Sequence, residues 1–496
     1  MRLIITIFFI FAIFNLFAQN NEIKREINYT AEAGTIISSN GETPFWLRAN
    51  QYGIVPNQSP IFTLRGSVSS DYKKAITKED QYRLSKFDWG YGLDIVGNVG
   101  KESQFLIPEA YLKAKYGAFE IYAGRRKEVF GLVDTTLSSG SYIWSGNALP
   151  MPKVQISTPT FVPLPFTKGF LSFKGNYAHG WFENSRTDVK NFYLHQKSLY
   201  FRLGKPDWKF HFYGGFNHQV QWGGELLYPD PKNQSAINGQ VGSSFNDYIN
   251  VVTGRSLAGV GDTTKNGGND AYNRSGNHLG TIDFAFDINT NNLSILCYRQ
   301  NIYEDGSLYY LANITDGLNG ISVKVKKKSD TKTRLQKIVF EYLNVANQSG
   351  TTTSANTNAR LRGQDDYLNN FVYGDGWSYM RKGIGTPLIV PGIDVPGIQI
   401  LPFQYFGNNR VQSYFLGING IVNNKVELKF KVSYSQNLGS YQTPLSESKN
   451  QVSSSILLNF PISFLNNSII LLNLYNDSGN LYKDNSGIYL GLKKQW

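Results

Sequence analysis

The sequence contains very little cysteine, with Cys297 alone among 496 residues. One thiol excludes an intramolecular disulfide framework, so the chain must be stabilised in another way. Motifs of common catalytic sites are missing too, since the sequence has no G-x-S-x-G, no H-E-x-x-H and no phosphate-binding glycine loop. We therefore expect a protein that is not an enzyme and that holds no cofactor and no metal.

Long apolar runs are missing beyond the N-terminus. Residues 1–18 place Arg2 ahead of an apolar run from Leu3 to Phe17 and end at Ala18, the order typical of a cleavable secretory signal. A buried N-terminal helix is the alternative interpretation. After this segment no stretch approaches the roughly 20 apolar residues of a transmembrane helix. The chain is expected to be exported, and a membrane crossing would have to use strands.

Aromatic residues and glycine are abundant, since 14% of the chain is aromatic, with 31 Tyr and 32 Phe, and 48 residues are Gly. Apolar and polar residues also alternate in several segments. Two such arms flank Gly117 between Ala110 and Arg126, and another runs from Val426 to Tyr434. Alternation with this composition is typical of a transmembrane β-barrel, which has lipid outside and water inside. A soluble β-sandwich gives similar alternation.

Connection lengths favour the barrel, because short turns and long polar stretches recur along the chain. Turns are predicted near Gly117, Lys205, Asn291, Lys328, Asn423 and Asn466, and long loops at residues 128–169, 223–279, 345–409 and 438–451. Short turns at one end and long loops at the other are typical of outer-membrane barrels. The last strand carries Ile488, Leu490, Leu492 and the terminal Trp496 on one face. An aromatic end of this kind predicts recognition by the barrel-insertion machinery of the outer membrane.

One segment, ETPFWLRANQYG at Glu42–Gly53, fits neither a clean strand nor a clean helix. Its core PFWLRANQYG resembles the N-terminal signature of the capsule-assembly Wzi family as it occurs in Bacteroidetes-type bacteria. Two later segments, YLKAKYGAFEIYAGRRKEVFG at Tyr111–Gly131 and GQDDYLNNFVYGDGWSYMRKGIGTPL at Gly363–Leu388, resemble the same family in the same order. The resemblance covers nearly the whole mature chain.

The resemblance implies an eighteen-stranded outer-membrane barrel that is closed on the extracellular side by loops. It also implies a small N-terminal helical element at the periplasmic mouth. On this view Phe45, Trp46 and Leu47 would pack the N-terminal segment against the end of the barrel, while Arg48, Asn50 and Gln51 would face water or backbone. The predicted division is a signal peptide at residues 1–18, an N-terminal periplasmic or plug segment at 19–60 and the barrel at 61–496. The implied function is that of a surface lectin, which holds capsular or exopolysaccharide and organises it into an attached layer.

Sugar binding needs flat aromatic faces and charged donors, and the long predicted loops contain both. The candidate binding residues are Trp222, Arg362, Trp377, Tyr379, Arg381 and Lys382. The formal net charge of +12, or +11 once Arg2 leaves with the signal, favours an acidic polysaccharide. Aromatic and cationic residues also form the interfacial girdle and contact outer-membrane lipid, which is the alternative role for each of these side chains. No nucleic-acid recognition module is present in the sequence.

Two other functions stay open at this point. A diffusion channel for oligosaccharides or small solutes would use a similar wall. A hydrolase would need paired carboxylates, for which Asp365, Asp366 and Asp375 are the candidates. Local turn hydrogen bonding is the favoured interpretation of these aspartates, and a structural place in the wall is favoured for the scattered histidines.

Overall fold

The computed structural model describes residues 25–74, 85–257, 267, 274–304, 307–327, 331–352, 363–402 and 404–496. Nineteen strand segments form one antiparallel sheet. Two of these segments pair with the same neighbouring strand and together form one strand of the wall, so the closed ring has 18 strands. The predicted signal peptide, residues 1–18, lies outside the described residues.

The ring is numbered in chain order. Its strands are β1 Ile27–Ser38, β2 Ile61–Ser70, β3 Phe87–Gly100, β4 Gln104–Tyr116, β5 Phe119–Arg125, β6 Lys153–Ser157 with its continuation Val162–Pro163, β7 Leu171–Trp181, β8 Tyr193–Leu203, β9 Phe210–Trp222, β10 Asn277–Asn289, β11 Leu293–Glu304, β12 Gly317–Val325, β13 Arg334–Asn344, β14 Val411–Val422, β15 Val426–Gly439, β16 Pro444–Ile462, β17 Ser468–Gly479 and β18 Asn485–Gln495. Helix α1 is Phe45–Arg48 and helix α2 is Phe245–Thr253; short 3₁₀ turns lie at Pro165–Thr167, Ser307–Tyr310 and Gly392–Asp394.

The barrel closes between its first and last strands. Strand β1 pairs with β2 on one side and with β18 on the other, so Ile36 lies opposite both Ile61 and Tyr489. The ladder between β1 and β18 runs without a break from Thr30 to Ser38, so the wall has no open edge in hydrocarbon. No helix in the described ranges is long and apolar enough to cross a membrane.

The two faces of the wall follow the alternation predicted from the sequence. In the hairpin around Gly117, Leu112 and Ile121 point outward and are 67% and 51% exposed, whereas their neighbours Lys113 and Glu120 point inward and are buried. The last strand behaves in the same way, since Ile488, Leu490 and Leu492 are all exposed on the outer face. The outer surface is apolar and the lumen is polar, which confirms the predicted membrane-barrel pattern.

The connections divide cleanly between the two ends of the barrel. At the loop end, loops 1 to 9 are residues 39–60, 101–103, 126–152, 182–192, 223–276, 305–316, 345–410, 440–443 and 480–484. At the turn end the connections are 71–86, 117–118, 164–170, 204–209, 290–292, 326–333, 423–425 and 463–467. The turns predicted near Gly117, Lys205, Asn291, Asn423 and Asn466 lie at the turn end, together with both ends of the barrel chain. The turn predicted near Lys328 falls on a residue outside the described ranges.

Two of the predicted loops are wrong in part. The stretch 128–169 contains β6, which is only five residues long before it breaks at residues 158–161. The stretch 438–451 is mostly strand, because β15 continues to Gly439 and β16 starts at Pro444. Loop 8 is therefore a tight connection in place of a long loop.

The expected division at residue 60 also differs from the structure. Residues 27–38 form β1 in the wall, so the described part of the segment 19–60 is not separate from the barrel. Helix α1 belongs to loop 1 and lies at the loop end, not at the turn end where the resemblance placed a helical element. The physical reason is the pairing of β1 with β18, which carries the chain across the wall before Phe45 is reached.

Candidate functional site

The lumen at the loop end is filled by a plug, which consists of loop 1, loop 3 and the described part of loop 7. Inward-pointing residues of these loops are almost completely buried, among them Trp46, Tyr142, Ile143, Tyr367 and Trp377. They form one apolar cluster with the inner wall. The plug therefore has a packed interior of its own inside a polar barrel.

Loops 3 and 7 are joined through an indole and several backbone groups. The Trp377 Nε1–H donates to the Ile143 carbonyl at 2.8 Å, and the Trp377 ring meets Trp144 edge to face at 6.0 Å. Two residues further along loop 3, the Ser145 hydroxyl donates to the Gly385 carbonyl at 2.7 Å. These contacts satisfy buried polar groups, which would be costly if they were left unpaired.

Loop 1 enters the same interior through the segment that the sequence pattern could not classify. Phe45, Trp46 and Leu47 are each 4% exposed, so their predicted packing role is correct although its location is the loop end. The Trp46 Nε1–H donates to the Ser453 carbonyl at 3.1 Å, which is a group of β16 in the wall. Arg48 was expected to face water or backbone, but its side chain is only 15% exposed and forms an ion pair with Asp394 of loop 7 at 3.1 Å.

The plug is also fastened to the wall by charged groups. The Ser139 N–H donates to Glu341 of β13 at 2.6 Å, and Lys337 of β13 donates to Asp134 of loop 3 at 2.7 Å. Burial raises the pKa of Asp134, but the bonds from Lys337, Ser322 and Thr136 lower it more, so the pKa is about 2. Asp134 is therefore a carboxylate near neutral pH, so this ion pair between plug and wall keeps its negative partner.

The six sequence-predicted binding residues do not form one site. Trp377 and Tyr379 are 0% and 2% exposed within the plug, where Arg125 donates to the Tyr379 hydroxyl at 3.1 Å. Lys382 is half-buried and donates to Asn57 of loop 1. Burial lowers the pKa of Lys382 to about 8, with Arg48 adding repulsion and Asp394 opposing it. These three side chains contact other parts of the protein and hold the plug together, so they do not present a binding surface to a sugar.

The other three candidates lie elsewhere. Arg381 is exposed at the tip of a hairpin formed by Ser378–Tyr379 and Lys382–Gly383. Its φ of 62° and the φ of 48° at Met380 are typical of a two-residue type I′ turn. Trp222 is 6% exposed and lies on the outer wall beneath α2, away from the lumen. Arg362 lies outside the described residues.

The exposed aromatic residues of the loop end are ones that the sequence reasoning missed. Tyr309 and Tyr310, in the short helical turn of loop 6, are 84% and 45% exposed, and their rings stand perpendicular at 5.0 Å. Phe371 in loop 7 is 48% exposed. The adjacent tyrosines of loop 6 were a visible signal, because two large aromatic side chains in a short polar connection have little core to enter.

Two of the candidate hydrolytic carboxylates accept hydrogen bonds within the loops, and the third lies near an arginine. Asp366 accepts from the side chains of Asn369 and Asn409 at 2.9 and 2.6 Å, and Asp365 accepts from the Ser349 hydroxyl at 2.7 Å. Asp375 lies 3.9 Å from the Arg186 guanidinium. Within the described ranges, no three His, Cys, Asp or Glu side chains are grouped so that they could hold a metal ion.

The positive charge of the chain is concentrated at the turn end. The eight turn-end connections contain 13 Lys and Arg against 5 Asp and Glu. The nine loops contain 16 Lys and Arg against 18 Asp and Glu. The loop end is therefore close to neutral, so the net charge of the chain is no measure of the charge that the loops present.

A closed ring of 18 antiparallel strands with an apolar outer face, short turns at one end and plugging loops at the other defines an outer-membrane β-barrel protein. Residues 22–462 match the family model of capsule assembly protein Wzi, and the chain belongs to that family. The protein is located in the outer membrane, with its loops at the cell surface and its turns facing the periplasm.

One solved structure shares the fold, and a second is more weakly similar. Wzi of Escherichia coli, described as a carbohydrate-binding β-barrel involved in group 1 capsule assembly, matches with 14% identity and a TM-score of 0.56, over 95% of this chain and 84% of that chain. OccAB4 of Acinetobacter baumannii matches with 8% identity and a TM-score of 0.46, over 96% of this chain and 100% of that chain. No curated protein sequence matches this chain significantly. At these identities the likeness to solved structures concerns the fold alone.

Proposed function

We propose that this protein binds capsular or exopolysaccharide at the cell surface and retains it there, without catalysis. Family membership supports a role in capsule assembly. The observation that carries the proposal is the plug, because loops 1, 3 and 7 are bonded to one another and to the wall. A barrel closed in this way is suited to present a fixed surface, whereas a diffusion channel needs an open lumen.

The polymer would contact the exposed aromatic and cationic residues of the loop end. Tyr309 and Tyr310 offer flat faces on which sugar rings stack, and Arg381 projects from a rigid two-residue turn. An arginine can donate two parallel hydrogen bonds to one carboxylate, which suits an acidic sugar. Of the binding residues predicted from the sequence we retain Arg381, and we add the two tyrosines. Trp377, Tyr379 and Lys382 would contribute indirectly, by holding the plug together.

Long-range attraction of an acidic polymer receives no support from the loops, which are close to neutral. An acidic group would be recognised locally, by Arg381 and its neighbours, after the polymer has arrived. Short-range contacts of this kind depend weakly on salt compared with steering by a large field.

The direct test is binding of the purified protein, in detergent, to the surface polysaccharide of the producing organism. Saturable binding that weakens in a Tyr309→Ala, Tyr310→Ala double variant would support the proposal. Deleting the gene should leave polymer synthesis and export intact while polymer is shed into the medium. Unchanged cell-attached polymer in the deletion strain, or no binding by the purified protein, would refute it.

A further inference from the structure

Helix α2 of loop 5 lies on the outside of the barrel wall. Along β8, Leu194 and Gln196 point into the lumen, so the alternate residues His195 and Lys197 point outward. Lys197 donates to the Val252 carbonyl in the last turn of α2, and the hydroxyls of Tyr248 and Tyr177 are 2.7 Å apart. The α2 part of loop 5 therefore lies over the outer surface of strands β7 to β10.

The surface beneath α2 is unusually polar for the outer face of a membrane barrel. Four of the five histidines of the chain point outward here, from four neighbouring strands; they are His179, His195, His218 and His278. His218 Nε2 lies 3.0 Å from His278 Nδ1. Among the described residues, neither ring nitrogen of the fully buried His195 has a hydrogen-bond partner.

The inner side of α2 covers this patch. Val251 packs against Val220 and Trp222, and the Tyr248 ring lies 5.2 Å from the Trp222 ring. Imidazole and ammonium groups exposed to hydrocarbon would be costly. The helix therefore separates a polar part of the wall from whatever surrounds the barrel at this height.

The opposite side of α2 is apolar and exposed. Phe245 and Ile249, one helical turn apart, are 75% and 45% exposed. On the neighbouring wall, Trp181, Phe216 and Ile282 are also exposed outward. The helix is capped at both ends, by the Ser244 and Asp247 capping box and by Lys197 at the last carbonyls. Its outer face is thus a fixed continuation of the apolar belt of the barrel.

We propose that α2 is an amphipathic anchor whose Phe245 and Ile249 side chains enter the acyl region of the outer leaflet. These side chains continue the lipid-facing belt of the barrel, so lipid is the partner that we assign to them. An amphipathic helix lying in an interface buries its apolar side in this way. Loop 5 would then fasten the surface loops to the membrane from outside the barrel, independently of the plug within it.

Spin labelling of the full-length protein in phospholipid vesicles tests this assignment. In a Cys297→Ser background, nitroxides are attached to Phe245→Cys and Ile249→Cys, and their collisions with oxygen and with a water-soluble nickel chelate are measured. Ile121→Cys on the bare wall is the lipid reference, and Tyr309→Cys on loop 6 is the water reference. Heat-modifiable migration on gels shows that each variant has folded as a barrel.

Labels on α2 should show a ratio of oxygen to nickel accessibility that matches Ile121→Cys and is several-fold above that of Tyr309→Cys. A ratio that matches Tyr309→Cys would overturn the proposal, because the helix would then face water. Low accessibility to both reagents would overturn it as well, because a second copy of the protein would then cover the helix.

Discussion

Trp377 of loop 7 and Ile143 of loop 3 are joined by an indole hydrogen bond of 2.8 Å inside the barrel, although 234 residues separate them in the chain. Neither group contacts solvent. Trp377, whose indole is the kind of side chain that stacks on a sugar, is therefore part of the protein interior. The lumen is closed by contacts between loops such as this hydrogen bond. Substitutions that break these contacts test whether they keep the lumen closed.

Trp377→Ala should open the plug. Removing a fully buried indole costs about 3–5 kcal/mol of stability when the site cannot collapse. We expect ion conductance across a planar bilayer to rise from near zero to open steps, because loops 3 and 7 lose their shared packing.

Trp377→Phe is the matched control, since it keeps an aromatic ring and deletes the hydrogen bond. Its conductance should stay close to that of the unsubstituted protein. Large conductance in the unsubstituted protein itself would contradict the closed lumen and would favour a diffusion channel.

The Arg48 and Asp394 pair should be sensitive to the loss of either partner. Both side chains are largely buried, so Arg48→Ala leaves the Asp394 carboxylate without its ion-pair partner and with only the hydrogen bond from Asn57. The free energy of unfolding should fall by about 3 kcal/mol. Replacing both residues by leucine should restore much of that loss. Denaturant unfolding in detergent, followed by tryptophan fluorescence, measures each variant.

An exposed pair provides the comparison. Lys190 and Glu225 are 3.3 Å apart, but both are more than a third exposed. Lys190→Ala should therefore cost less than about 1 kcal/mol. Equal losses at the two pairs would show that burial is not what matters at Arg48.

Asp316, at the end of loop 6, should give the barrel a measurable dependence on pH. Burial raises its pKa to about 6, although the backbone N–H groups of Gln348 and Asn347 and the Tyr367 hydroxyl favour the carboxylate. Since the folded pKa lies above that of an unfolded chain, about 3.9, the folded state binds this proton more tightly. The resulting stabilisation is complete below about pH 4 and is lost as the pH rises through 6.

Asp316→Asn removes this titration. The stability of the variant relative to the unsubstituted protein should therefore be higher at pH 7.5 than at pH 4.5, whatever its absolute value. Unfolding free energies at the two pH values provide the measurement, and a difference independent of pH would contradict the prediction.

Polysaccharide affinity should depend on the loop 6 tyrosines and on Arg381. Loss of one stacked ring should cost about 0.5–1.5 kcal/mol of binding free energy. The dissociation constant should therefore rise roughly twofold to tenfold for each tyrosine that is removed. Raising the salt concentration from about 0.1 to 1 M should weaken binding less than about threefold, since the loops carry no large net charge. Phe166→Ala, at the turn end, is a control with an equally exposed ring, and its affinity should not change.

Local features of the fold were accessible from the sequence. Asn423 and Asn424 have φ of 51° and 59°, a conformation that asparagine tolerates, and the turn between β14 and β15 was predicted at that position. Alternation over ten or more residues also identified the lipid-facing side of β18. Strand β6 was missed because five residues carry too little of the pattern before the break at 158–161.

The candidate site was less accessible, because exposure in this molecule is decided by distant contacts. Trp377 is buried because loop 3 packs against it. Trp222, the last residue of β9, is covered by α2, which begins 23 positions later in loop 5. A single sequence shows which side chains are able to stack on a sugar. It does not show which of them another loop has already covered.

The pairing of β1 with β18 also determines when this protein can fold. Tyr489 donates to Glu32 across 457 positions of sequence, so the seam forms only after the C-terminal strand has been synthesised and exported. Contacts between such distant residues make folding slow. The unclosed chain must therefore persist long enough to need protection from aggregation in the periplasm.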